Sequence, residues 1–244
     1  MNNFLKEGLT GLWKDILHVN RARSFEEIIG HNDIKQIFVK AIRSKRPVHL
    51  LLIGPPGSAK TMFLTEIIRH YKGAYFVVGS NTTKAGLLNQ LFETRPRLLL
   101  IDELEKMNLA DQTALLHLME TGIISETKMR KTREMELTSW VFATGNSCDN
   151  LIEPLLSRFV ILEVPEYSFE EFIDIAISRL AKEKINRDIA TIMAEKVWTV
   201  LNSRDIRDVI KVARLVTNQE DISRIIGVMK RYSKQDNNQI LDFK

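Results

Sequence analysis

Eight residues constrain this chain more than any others: Gly54-Pro55-Pro56-Gly57-Ser58-Ala59-Lys60-Thr61, set between the apolar run His49–Ile53 and a helical pattern that opens at Met62. A strand that turns through a tight loop of small residues into a helix brings backbone N–H groups and the positive helix end onto one point, where a triphosphate binds. Lys60 is placed to neutralise the outer phosphates and the Thr61 hydroxyl to hold Mg²⁺. Pro55, Pro56, Gly57, Ser58, Ala59, Lys60, Thr61 and Met62 are therefore the expected phosphate-binding residues. Ala59 stands where a second glycine is usual, and its methyl is small enough for the backbone to approach phosphate.

The surrounding pattern fits an α/β domain. Apolar strands are expected at His49–Ile53, Ala74–Val78, Leu98–Ile101, Trp140–Thr144 and Val160–Val164, alternating with helical segments. That predicts a P-loop type of parallel five-stranded sheet sandwiched by helices. After about Ser168 the strands stop, and helical patterns at 169–183, 189–201, 204–216 and 222–232 predict a small all-helical lid. The expected organisation is an N-terminal helical arm at 1–24 (apolar at Phe4, Leu5, Leu9, Leu12, Trp13, Ile16 and Leu17), an α/β core at 25–166, the lid at 167–232 and a flexible tail at 233–244.

A second half of the site lies about forty residues beyond the loop, where the strand ending in Ile101 runs into Asp102-Glu103. Two carboxylates at a strand's carboxyl end suit hydrolysis, with Asp102 orienting the Mg²⁺ shell and Glu103 activating water. Asn146, which follows the strand beginning at Trp140, is placed to hold that water or touch the γ-phosphate. Arg158, in Ser157-Arg158-Phe159, precedes the last strand.

In this order and spacing the motifs resemble the AAA+ ATPase family from about Phe25 to Val216: a Walker A loop, a Walker B strand, a sensor-1 asparagine and an arginine-finger segment. The resemblance implies ATP or ADP with Mg²⁺ as cofactors, and Glu103, Asn146, Arg158 and Lys60 as catalytic residues, with Thr61 and Asp102 toward the metal. It implies that Arg158 reaches nucleotide on a neighbouring subunit, so the partner is a second copy in a ring, a hexamer by analogy. Ile28, Ile29 and Gly30 match the segment that wraps adenine. Arg204 and Arg207 are both candidates for the lid's sensor-2 arginine, with Arg207 in the more usual context.

The segment from Thr121 to Thr138 reads as a β-hairpin carrying Lys128, Arg130, Lys131 and Arg133. A hairpin before sensor 1 is similar to the branch that holds RuvB-like, MCM-like and MoxR-like ATPases. The four cations suit a phosphate backbone in a ring's pore, while Glu126, Glu134 and Glu136 cut the local charge nearly to neutral. Two loads stay open: DNA, for a RuvB-like branch-migration or helicase motor, and protein, for a MoxR-like remodelling ATPase. Ser80–Gly86 is either a second pore-facing loop or a plain connection.

Composition narrows the setting. No apolar run approaches the roughly 18 residues that cross a membrane, so no membrane partner is expected. The single Cys148 excludes an intramolecular disulfide framework and points to a reducing, cytoplasmic compartment. The five histidines lack ligand spacing, and a surplus of four cations is mildly basic.

Overall fold

The computed structural model describes residues 25–128 and 131–232. The expected arm at 1–24, the tail at 233–244 and Arg130 lie outside the described residues. Two compact units divide between Pro165 and Glu166.

The first unit runs α1 (Asn32–Ile42), β1 (His49–Ile53), α2 (Lys60–His70), β2 (Ala74–Val78), α3 (Lys84–Thr94), β3 (Leu98–Asp102), α4 (Leu109–Thr121), β4 (Ile123–Lys128), β5 (Lys131–Glu136), β6 (Trp140–Gly145), α5 (Glu153–Leu156) and β7 (Phe159–Glu163). Five strands form one parallel sheet in the order β2-β3-β6-β1-β7. The order places β1, with the phosphate loop at its end, one strand away from β3 and its acids.

Both faces of the sheet are covered, which explains the uninterrupted apolar runs. Leu50, Leu52, Leu98, Leu100, Trp140 and Phe142 point to one side, where they pack on Phe38 of α1 and on Phe63, Leu64 and Ile67 of α2. Leu51, Leu99, Ile101, Val141 and Ala143 point to the other, against Leu87, Leu88 and Leu91 of α3 and Leu115 and Leu118 of α4. The period of two within each strand assigns alternate residues to opposite cores.

Short polar side chains start the helices. Thr83 accepts from the Gly86 amide to open α3, so Lys84–Gly86 belong to a helix and the expected loop at 80–86 shrinks to a 3₁₀ turn (Gly79–Asn81) and a cap. Asn108 opens α4 in the same way. β4 and β5 pair antiparallel, with Ile123 opposite Glu136 and Lys128 opposite Lys131.

The second unit is helical: α6 (Phe169–Lys182), α7 (Arg187–Val200), α8 (Ile206–Leu215) and α9 (Asp221–Tyr232). Phe172, Leu180, Met193, Val197, Val209, Val212, Ile222 and Ile226 are buried within it. A reciprocal capping box between Ser168 and Glu171 starts α6.

Candidate functional site

The loop after β1 is built for close approach. A Cβ on Gly54 would lie 2.3 Å from the Val164 carbonyl oxygen, so only glycine lets β1 leave the sheet here. Gly57 and Ala59 both take left-handed backbone conformations, at φ 86° and 64°. The burden of Ala59 is thus conformational, about 1 kcal/mol for a residue with a Cβ. α2 starts at Lys60 with no side-chain cap, leaving its first N–H groups for an anion. Lys60 Nζ bonds the carbonyls of Gly54 (2.7 Å) and Pro55 (2.6 Å), and the buried Ser58 bonds Pro55. These features fit a nucleotide's phosphates.

Asp102 is the meeting point of three segments. It accepts from Thr61 Oγ1 at 3.1 and 3.0 Å, from the Glu103 amide at 3.2 Å and from the hydroxyl of the buried Thr144 on β6. Hard oxygens of this kind suit Mg²⁺, and Thr61 with Asp102 would hold it. Thr144 escapes a reading of sequence alone, although a hydroxyl within the apolar run Trp140–Ala143 is its signal.

Glu103 occupies a left-handed position, φ 56°. Its carbonyl oxygen would lie 2.3 Å from a Cβ on Gly79, so the end of β2 is pressed against this turn. Its carboxylate accepts from Lys106 Nζ at 2.8 Å, and the same bond raises the Lys106 ammonium above the usual lysine range. Asn146 is held by Glu105, whose Oε1 accepts from both the Asn146 amide (3.2 Å) and Nδ2 (2.9 Å). Since a carboxylate can only accept there, the carboxamide's nitrogen end is fixed toward it. Glu105 Oε2 is buried without a hydrogen bond. Lys106 and Glu105 were absent from the expected set.

Gln112, buried in α4, donates to the carbonyls of Met107 (2.9 Å) and Asn150 (2.8 Å) and accepts from the Ile152 amide (3.0 Å). It ties the turn after Glu103 to the segment that leads to Arg158. Arg158 itself is turned to Glu120 on the last turn of α4.

Other expected residues are placed differently. The side chain of Ile28 is buried in the core beside α1 and α2, and its carbonyl accepts from Lys35, whereas Ile29 and Gly30 are half-buried. Arg133 is engaged within the fold: it pairs with Glu126, donates to Asn89 and lies over the Phe92 ring at 4.4 Å. Its side chain nonetheless stays 47% exposed. In the helical unit, Arg204 stacks over Trp198 at 3.6 Å and donates to its carbonyl at 3.1 Å. Arg207 bonds Asp205, the cap of its own helix, with 63% of its side chain exposed.

Among the described residues no group of acids, histidines and cysteine forms a ready-made metal cluster, and no helix is long and apolar enough to cross a membrane.

A family model described as the ATPase family associated with various cellular activities (AAA) matches residues 50–166. The RuvB subunit of the Holliday junction branch migration complex of Fusobacterium nucleatum is 32% identical over 184 residues, covering 69% of this chain and 55% of that protein. The DNA replication licensing factor Mcm2 of Drosophila melanogaster is 28% identical over 188 residues, covering 60% of this chain and 21% of that protein. The chain thus spans about half the length of the first relative and about a fifth of the second. A mutant of Thermotoga maritima RuvB shares the fold, with a TM-score of 0.65 at 20% identity over 85% of this chain and 73% of that one.

Proposed function

We propose, on the premise that this chain is an AAA-family ATPase resembling RuvB-like and MCM-like members, that it hydrolyses ATP at the interfaces of a self-assembled ring to drive movement on DNA, in the manner of a branch-migration motor or helicase. The observation that carries the hydrolytic part is the convergence of Thr61, Thr144 and the Glu103 amide on Asp102. The load is proposed from the likeness to RuvB and Mcm2, whose names tie them to Holliday junctions and DNA replication.

Mg²⁺–ATP supplies the transferable phosphoryl group and the divalent charge on its oxygens. The chain's residues do the rest. The loop amides and Lys60 bind and neutralise the phosphates, which requires Lys60 to exchange its carbonyl partners for phosphate oxygens. Thr61 and Asp102 would hold the metal, with Thr144 fixing the Asp102 rotamer. Glu103 takes the proton of the attacking water at its carboxylate, for which its bond to Lys106 must open. Asn146, anchored by Glu105, orients that water. Arg158 of a neighbouring subunit neutralises charge developing on the transferred group. Ile29 and Gly30 contact adenine, and Arg207 is the arginine favoured for the sensor-2 role.

The test is ATP turnover with and without single-stranded, duplex and branched DNA, beside nucleotide binding, in the wild type and Glu103→Gln. Expected are DNA-stimulated turnover in the wild type and retained binding with turnover abolished in the variant. Turnover that survives Glu103→Gln overturns the site. Turnover indifferent to every DNA leaves the site standing and moves the load to protein, as in a MoxR-like remodelling ATPase.

A further inference from the structure

The loops at the amino ends of β1, β2 and β3 are residues 43–48, 71–73 and 95–97. Among these twelve residues are six cations, Arg43, Lys45, Arg46, Lys72, Arg95 and Arg97, and no acid. The whole chain has 35 lysines and arginines against 31 acids, a surplus of four, so six cations with no acid in twelve residues is a local concentration of charge. All but Arg97 are exposed, and among the described residues none of those five is in an ion pair.

Backbone and side-chain contacts draw the loops together. Gly73 accepts from the Arg97 amide at 3.0 Å. The Arg97 carbonyl accepts from the Trp140 amide at 2.8 Å, and the Arg97 guanidinium lies over the Trp140 ring. Trp140 Nε1 donates to Ser44 Oγ at 2.9 Å. With the strand order β2-β3-β6-β1, the cations span three strand spacings, about 14 Å.

Basic residues near helix C-termini complement the helix dipole, and α1, α2 and α3 all end here. That explanation is too small: three termini carry roughly −0.5 charge each, which leaves most of the five exposed charges uncompensated. A protein partner fits poorly as well, since interfaces need apolar or aromatic anchors and no large hydrophobic residue of these loops is exposed. A duplex presents a phosphate charge about every 1.7 Å of axis, or roughly eight over 14 Å, and four of the six cations are arginines, which bind phosphate through two donors at once.

We propose that the amino end of the sheet, opposite the nucleotide site, binds a nucleic-acid phosphate backbone without sequence readout. The proposed DNA-dependent reading supplies only the identity of the polyanion.

The experiment is fluorescence anisotropy of a mixed-sequence labelled duplex against salt. It compares the full chain, the five-fold variant Arg43→Gln, Lys45→Gln, Arg46→Gln, Lys72→Gln and Arg95→Gln, and the hairpin variant Lys128→Gln, Arg130→Gln and Lys131→Gln. The wild type should bind with a steep salt dependence. The five-fold variant should lose roughly 4 from the slope of log K against log salt, near 0.9 per phosphate contact, with affinity at low salt down at least 100-fold. Its ATP turnover without DNA and its melting temperature should match the wild type. Lysine at the three arginine positions should restore most of the slope. Unchanged binding by the five-fold variant, loss confined to the hairpin variant, no binding by the wild type at low salt, or equal affinity for polyglutamate each overturns the proposal. If turnover ignores DNA while binding is lost in the five-fold variant, this surface stands and the motor reading falls. If the hairpin variant alone abolishes DNA-stimulated turnover and binding, the motor reading stands and this surface falls.

Discussion

Arg158 and Glu120 form an ion pair within one chain, the guanidinium donating to Oε1 at the last turn of α4. An arginine proposed to serve a neighbour's nucleotide is thereby paired within its own chain. Both side chains are nearly half exposed, so the pair is worth under about 1 kcal/mol and acts as a bias. Glu120→Gln should raise ATP turnover at protein concentrations below full assembly by up to about fivefold, the equivalent of that energy. At saturating concentration the gain should vanish. Turnover measured against protein concentration gives the answer, and a lower rate at every concentration would show that Glu120 supports the site instead.

Glu105 holds Asn146 through two bonds to a single oxygen. Glu105→Ala should lower kcat about tenfold, in the range for a displaced polar group in a catalytic site, while KM for ATP stays within a factor of about two. Glu105→Gln keeps an acceptor and should recover most of the rate. A KM effect that exceeds the kcat effect would place Glu105 in nucleotide binding.

Gly79 carries no Cβ because the Glu103 carbonyl oxygen occupies that space. Gly79→Ala should push the Glu103 turn away, with a cost of about 1–3 kcal/mol in stability and a loss of turnover larger than the loss of ATP binding. Chemical denaturation and a binding titration on the same preparation separate the two effects.

His49, at the start of β1, is buried and its Nδ1 accepts from the Val141 amide. Burial pushes its pKa down from 6.5 to about 4. Above pH 6.5 the ring is neutral in both folded and unfolded chains and contributes no pH dependence. Between 6.5 and about 4 the unfolded chain takes up the proton and the folded one does not, so stability falls by about 1.4 kcal/mol per pH unit, about 3 kcal/mol in all. Below that range the effect is constant. Urea unfolding should show this slope in the wild type and its loss in His49→Gln; equal slopes would exclude His49 as the source.

The nucleotide loop and the strands were legible because their signals are local. Small residues between an apolar run and a helical pattern have few other uses, and a sheet buried on both faces leaves apolar strings such as Leu98–Ile101. What stayed hidden acts across the chain. Thr144 meets Asp102, Glu105 meets Asn146 and Gln112 meets Ile152, each about forty residues away, so nothing in their own surroundings marks them. The hairpin that carries Arg133 was plain in the sequence, but the packing that turns this side chain onto Phe92 and Asn89 was not. The concentration of charge before β1, β2 and β3 likewise emerges only when three separated loops are brought to one end.

Gln112 reaches three partners from a buried position, and severing any one strands a polar group at about 1–3 kcal/mol. The turn after Glu103 and the approach to Arg158 are therefore geared together through α4, like two wheels on one axle. On the proposed ring reading, this one side chain joins the turn that carries the residue assigned to a subunit's own nucleotide to the segment that carries the residue assigned to its neighbour's.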